Sequence, residues 1–230
     1  MDNEENEQEQ DFQVVYSKNV IEFATVAREY CVFAENALKY SKADYMKVAS
    51  RLLPLLYMKG ALLPEIKEVS DEQLPEVVDY ETYESVRRAI RERLSSHDRY
   101  LTTFKEGFEM SESPIMATIS EDMADIYQDI RNFCEQYHCG DDAVMYDAVA
   151  VVADKFRTYW GQRAANALSA LNAALYSGDE LNDDEKGDLD SQDDDMEEES
   201  QPTDEAADDN TPYFLRQTGM RLVGGKNGKR

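Results

Sequence analysis

The chain has 230 residues, with 24 lysines and arginines against 49 aspartates and glutamates, for a formal charge of −25. No run reaches the roughly eighteen apolar residues of a membrane span, and the first residues lack the basic-then-apolar pattern of a secretory leader. Three cysteines, Cys31, Cys134 and Cys139, make neither a CxxC pair nor a disulfide framework, so a reducing cytoplasm is the expected setting.

Residues 1–14 open on "MDNEENEQEQD", six carboxylates without a base, and are expected to be a disordered acidic tail. In "SKNVIEFATVAREYCVFAENALK" the apolar residues Val20, Phe23, Ala27, Tyr30, Cys31, Ala34 and Leu38 recur at helical spacing, with Ser17 placed as the cap. A second helix starts at a Ser41 cap, and Pro54 is expected to kink it or end it near Leu53. Residues 65–79 read as a loop, and a third long helix is expected from Tyr80 to Phe104. Ser120 and Glu121 open a fourth, closed by Gly140, and Asp141 caps a last helix reaching residue 177. No strand alternation with hairpin turns is evident. The expected class is all-α, a single bundle of about five or six helices over residues 15–177.

Residues 178–211 follow as an acidic tether, with seventeen carboxylates against Lys186 alone. Low apolar content predicts disorder there, and like charges extend the chain. The sign then reverses. Residues 212–230 hold five bases and no acid, which leaves only −8 on residues 12–177.

Several groups could carry chemistry. Glu81 and Glu84 on one helix, with Asp122 and Asp125 on another, have the paired spacing with which all-α nucleotide phosphohydrolases hold Mg²⁺. In a chain this acidic such spacings also mark a solvated helix face, so Mg²⁺ belongs to the alternative reading only and no cofactor is expected otherwise. Cys134 and His138 share a helix face beside Cys139, but a zinc site needs a ligand set that the chain does not supply, and cysteines at a helix seam are the plainer reading. Arginines at 87, 88, 91, 93 and 99 alternate with acids, as in the pair Glu84–Arg88, and read as an ion-paired face. If Arg163 points inward it requires a carboxylate, because an unpaired buried charge is prohibitive. Asp125 and Asp129 are the expected partners, in a structural ion pair.

The segments "LLPLLYMKGALLP", "TISEDMADIYQDI" and "FRTYWGQRAANAL" together resemble an uncharacterised bacterial all-helical family, domain of unknown function 5063, over roughly residues 17–176. The resemblance implies a helical fold and no assigned activity. Members are often encoded near a 3'–5' exonuclease, which implies a link to nucleic-acid metabolism.

The terminal segment combines Tyr213, Phe214, Leu215, Met220 and Leu222 with Arg216 and Arg221. Apolar anchors beside arginines suit a short segment that orders on a partner. A protein groove and nucleic acid are the two partner classes; docking on the chain's own acidic residues is the third destination. The composition favours an interaction module or adaptor, against a Mg²⁺-dependent phosphohydrolase or a purely structural acidic protein. No membrane is expected among the partners, and oligomeric state is not legible.

Overall fold

In a computed structural model, residues 12–70, 73–104, 110–178 and 181 are described. The first helix, α1 (Lys18–Glu35), buries Val20, Phe23, Ala27, Tyr30, Cys31 and Ala34 on one face. Ser17 stands at its N-cap, but its side chain makes no capping bond. Residues 12–14, expected within the N-terminal tail, lie against the helices. Phe12 sits edge-on against Tyr146 at 5.4 Å, and Tyr137 donates to the Val15 carbonyl at 2.6 Å. A 3-10 turn at Gln13–Tyr16 results, with Val15 buried. One aromatic contact, one hydrogen bond and an apolar anchor outweigh the acidic neighbours.

Helix α2 (Lys42–Gly60) begins at Ser41, whose side chain accepts the Asp44 N–H. The helix does not end near Leu53 but continues through Pro54 for six more residues. Leu53, Leu56 and Gly60 stay on its buried face, and that burial offsets the ~3 kcal/mol a mid-helix proline costs. At Gly60 α2 packs tightly against the last helix: a Cβ there would stand 2.5 Å from Trp160 Cη2.

Helix α3 (Tyr80–Leu94) is capped by Asp79, which accepts the Thr82 N–H at 2.8 Å. The expected helix to Phe104 stops ten residues short. Ser95 takes a positive φ of 54°, and strands β1 (Arg99–Phe104) and β2 (Met110–Thr118) follow as an antiparallel ribbon. Tyr, Leu, Thr and Phe in "RYLTTF" suit a pleated strand better than a helix end. Asp98 fastens the ribbon: its carboxylate accepts Ser120 N–H and Oγ–H, both at 2.7 Å, and its carbonyl accepts Ile119 N–H. Among the described residues this ribbon is the one departure from an all-α bundle.

Helix α4 (Ile119–Tyr137) starts at Thr118, which accepts the Glu121 N–H at 3.3 Å, so its cap lies two residues before the expected Ser120. It packs against α1, α3 and both parts of the last helix, and fourteen of its nineteen residues are buried. The last helix is one rod in two parts, α5 (Asp142–Lys155) and α6 (Gly161–Leu175), joined by a π turn at Phe156–Trp160. Asp141 caps α5 through the Ala143 and Val144 N–H groups. Glycine is required after the π turn, since a Cβ at Gly161 would lie 2.4 Å from the Phe156 carbonyl oxygen. The residues expected as acidic tether (178–211) lie outside the described residues apart from Gly178 and Leu181; the terminal motif, 212–230, lies wholly outside them.

Candidate functional site: a buried polar row on the central helix

A helix buried nearly all round should be apolar nearly all round. Helix α4 instead buries Asp122, Asp125, Asp129, Asn132 and Gln136. These follow one another at steps of three and four, so they form a single stripe along the helix.

The C-terminal end of the stripe holds backbone. Asn132 Oδ1 accepts the N–H groups of Val77 and Val78 at 2.8 and 3.0 Å, and Gln136 Nε2 donates to the Pro75 carbonyl at 3.0 Å. Asp147 on α5 similarly accepts the Val69 and Ser70 N–H groups. The long connection between α2 and α3 is therefore strapped down by side chains. Asn132→Ala would strip a buried acceptor from two N–H groups, a loss of about 1–3 kcal/mol. Amide hydrogen exchange at Val77 and Val78 should accelerate, while exchange in α1 should follow only the global change in stability.

The other end holds charge. Arg163 on α6 reaches Asp122 Oδ1 at 2.9 Å and Asp125 Oδ2 at 3.3 Å. Tyr100 from β1 donates to Asp122 Oδ2. Tyr83 from α3 and Tyr159 from the π turn donate to the two oxygens of Asp125 at 2.8 and 2.5 Å, and the guanidinium lies over the Tyr159 ring at 5.2 Å. Lys155 binds Asp129 at 2.7 Å. The carboxylates are at most 4% exposed, whereas the Arg163 and Lys155 side chains keep 18% and 17%. Cations form the rim and acids the floor.

Asp129 is thus not a partner of Arg163. The last helix runs antiparallel to α4, so Lys155, Tyr159 and Arg163 meet Asp129, Asp125 and Asp122 in turn. Asp129 lies a turn beyond Arg163's reach, and Lys155 occupies it.

Burial pushes the Asp122 carboxyl up to about 7, with Arg163 and Tyr100 opposing the rise. Burial likewise raises Asp129 to about 6 against the pull of Lys155. Tyr83, Tyr100 and Tyr159 are pushed well up, first by burial and then by the carboxylates beside them. Burial works against the Arg163 charge, but Asp125, Tyr159 and Asp122 outweigh it and keep the guanidinium protonated. The cluster can hold protons and lock helices in register.

Glu81 and Glu84 do not join Asp122 and Asp125. The Asp79 cap sets the phase of α3 so that Tyr83, Val86, Ile90 and Leu94 face the core. Glu84 binds Arg87 with two bonds of 2.9 Å, in place of the expected Arg88. Glu81 lies on a groove of about 540 Å³ between α3 and α4, with Glu35, Ser85, Tyr127 and Arg131. Among the described residues no group of three or more histidine, cysteine, aspartate or glutamate side chains is placed to hold a metal ion. Nor is any helix among them long and apolar enough to cross a membrane.

Sequence reasoning missed Lys155, Tyr83, Tyr100, Tyr159, Asn132 and Gln136. A signal existed for two of them. Lys155, Tyr159 and Arg163 at steps of four, set antiparallel to Asp129, Asp125 and Asp122, would have paired Lys155 and Tyr159. Tyr83 and Tyr100 arrive from a separate helix and a strand, and no local spacing announces them.

No curated protein matches the chain. The chain is similar to protein BF1032 from Bacteroides fragilis, a structural-genomics crystal structure, at 36% sequence identity. That match covers 73% of this chain and 98% of the other, with a TM-score of 0.66. A model of one family, described as a domain of unknown function (DUF5063), matches residues 14–177. That span takes in the whole polar row and every residue that meets it, and the chain belongs to the DUF5063 family.

Proposed function

We propose that the chain is a non-catalytic interaction module, with its helical body as platform and residues 212–230 as the partner-binding segment. The observation that carries this reading is the sign reversal at the chain's end: five bases and no acid after seventeen carboxylates in residues 178–210. Tyr213, Phe214, Leu215, Met220 and Leu222 supply apolar anchors, and Arg216 and Arg221 supply charge for an acidic or polar rim. The body supports the reading in two ways. All four oxygens of Asp122 and Asp125, which a Mg²⁺-dependent hydrolase would need, are engaged by Arg163 and three tyrosines. The surface also offers apolar contact: Leu55, Met58 and Leu62 stand exposed at steps of three and four, and Leu101 and Met116 are exposed cross-strand partners on the ribbon. A protein in the cytoplasm is the partner class that fits best.

The test is capture from a native lysate by the full chain and by a chain ending at Asn210, each with and without nuclease. The expected result is a protein retained by the full chain, lost with the terminal segment and indifferent to nuclease. Nuclease-sensitive capture would replace the protein partner with nucleic acid and connect the chain to nucleic-acid metabolism. Identical partner sets for both chains would overturn the reading.

A further inference from the structure

Beside the polar row, α3, α4 and the end of α1 border a groove of about 540 Å³, and Val77 and Val78 of the α2–α3 connection line one side of it. Helical spacing brings its side chains together. Glu81, Ser85 and Ala89 follow at steps of four along α3, and Tyr127 and Arg131 stand one such step apart on α4. The wall at Val77 and Val78 is preset, because Asn132 holds both of their N–H groups and Asp79 then caps α3. The groove therefore belongs to the folded body.

Its charges do not cancel. Two carboxylates, Glu35 and Glu81, share the lining with one guanidinium, Arg131, which already binds Glu135 at 2.8 Å. One oxygen of Glu35 accepts the Tyr127 hydroxyl at 2.9 Å and lies 3.9 Å from Arg131 Nε. Among the described residues its other oxygen is unengaged, and the Glu81 carboxylate makes neither a hydrogen bond nor an ion pair. Glu35 also ends α1, where the helix dipole adds negative potential. An anion would meet two carboxylates and an occupied arginine; a cation meets open acceptors. The remaining wall is apolar. Val78 and Val86 are nearly buried, while Val77 stands 50% exposed at the edge. A bare ion would leave Val77 in water, whereas a basic side chain with an aliphatic stem, carried on a peptide, covers it.

We propose that this groove docks a basic segment of a partner protein through an arginine side chain, whose guanidinium meets Glu81 and Glu35 and whose stem lies along Val77 and Val86. Arginine suits the place better than lysine, because its planar fork donates to two acceptors at once. The inference goes beyond the terminal segment. It concerns the helical body alone and stands whether or not residues 212–230 bind a partner.

The experiment titrates a blocked peptide with one arginine between two leucines into the isotope-labelled full chain, beside the same peptide with neutral citrulline in place of arginine. The arginine peptide is expected to shift the amide signals of Val77, Val78, Glu81, Ser85 and Arg131 to saturation, and the citrulline peptide to leave them in place. Glu81→Gln should weaken binding about threefold, and Glu81→Gln with Glu35→Gln about tenfold, the scale of partly exposed charge pairs. Glu81 is exposed, so its variant keeps the fold, which unchanged thermal unfolding verifies. Spermidine shifting the same signals as tightly as the peptide would replace the partner protein with a free polyamine and overturn the proposal. Peptide-induced shifts confined to residues 178–210 would also overturn it, as would equal binding by the citrulline peptide, equal binding to the doubly substituted chain, or no shift in the groove.

Discussion

Arg163→Met is expected to destabilise the body by about 3–5 kcal/mol at pH 7.5, because it leaves Asp122 and Asp125 buried without their cation. Methionine retains much of the arginine's volume, so the loss reports charge more than packing. The deficit should shrink at lower pH. The folded Asp122 carboxyl is already raised to about 7 by burial, against 3.8 for the free group, and it rises further without Arg163. Protonation then removes the uncompensated charge.

The same raised values give the wild type a direction. Between roughly pH 4 and pH 7 the folded state holds protons on Asp122 and Asp129 that the unfolded state has released. Stability therefore falls as pH rises through that window, by up to about 1.4 kcal/mol per pH unit for each group. Asp98, also raised by burial, acts in the same sense. Urea unfolding at pH 5.5, 6.5 and 7.5 reads all of this. Asp122→Asn should flatten the wild-type slope by one group's share. A wild type that gains stability from pH 5.5 to 7.5, or a variant deficit that grows at low pH, would contradict the electrostatics described.

Trp160→Ala is expected to cost about 3–5 kcal/mol. The ring is fully buried, stacks on Phe23 at 6.2 Å, meets Phe156 edge-on at 4.8 Å and donates to the Val152 carbonyl at 3.1 Å. It also rests against Gly60, where α2 meets the last helix. A methyl group at Gly60 has no room, since the atom it meets belongs to a ring held on every side. Gly60→Ala should cost about 1–3 kcal/mol in the wild type. In a Trp160→Phe background the smaller ring vacates that space, so the added cost of Gly60→Ala should fall below half. Thermal unfolding of the two single variants and the double variant measures this coupling. Equal costs in both backgrounds would place the close approach elsewhere.

The helices were legible where one face decides them. The stripe of α1 and the Ser41 and Asp141 caps depend on local spacing, which the sequence displays directly. The β ribbon was not legible, because Leu94 and Leu101 stand seven residues apart and continue the helical period of α3. Only the turn at Ser95 and the tie from Asp98 to Ser120 end it. An end at Leu53 was misread for the opposite reason: the local penalty of Pro54 was real, and packing across α2 carried the helix past it. In the polar row, an inward Arg163 demanded an acid, and the acids of α4 were visible. Which acid it takes depends on the antiparallel register of two helices and on a π turn between them. Neither is a local property of the chain.

Residues 212–230 fused to an unrelated, inert carrier would test the central claim most directly, with the chain ending at Asn210 tested beside the fusion. If the terminal segment is the ligand, the carrier will acquire the partner that the shortened chain loses, and Tyr213→Ala with Phe214→Ala will remove it again. If the shortened chain keeps the partner and the carrier gains none, binding belongs to the helical body, and the groove bordered by Glu35, Glu81 and Arg131 becomes the surface to mutate.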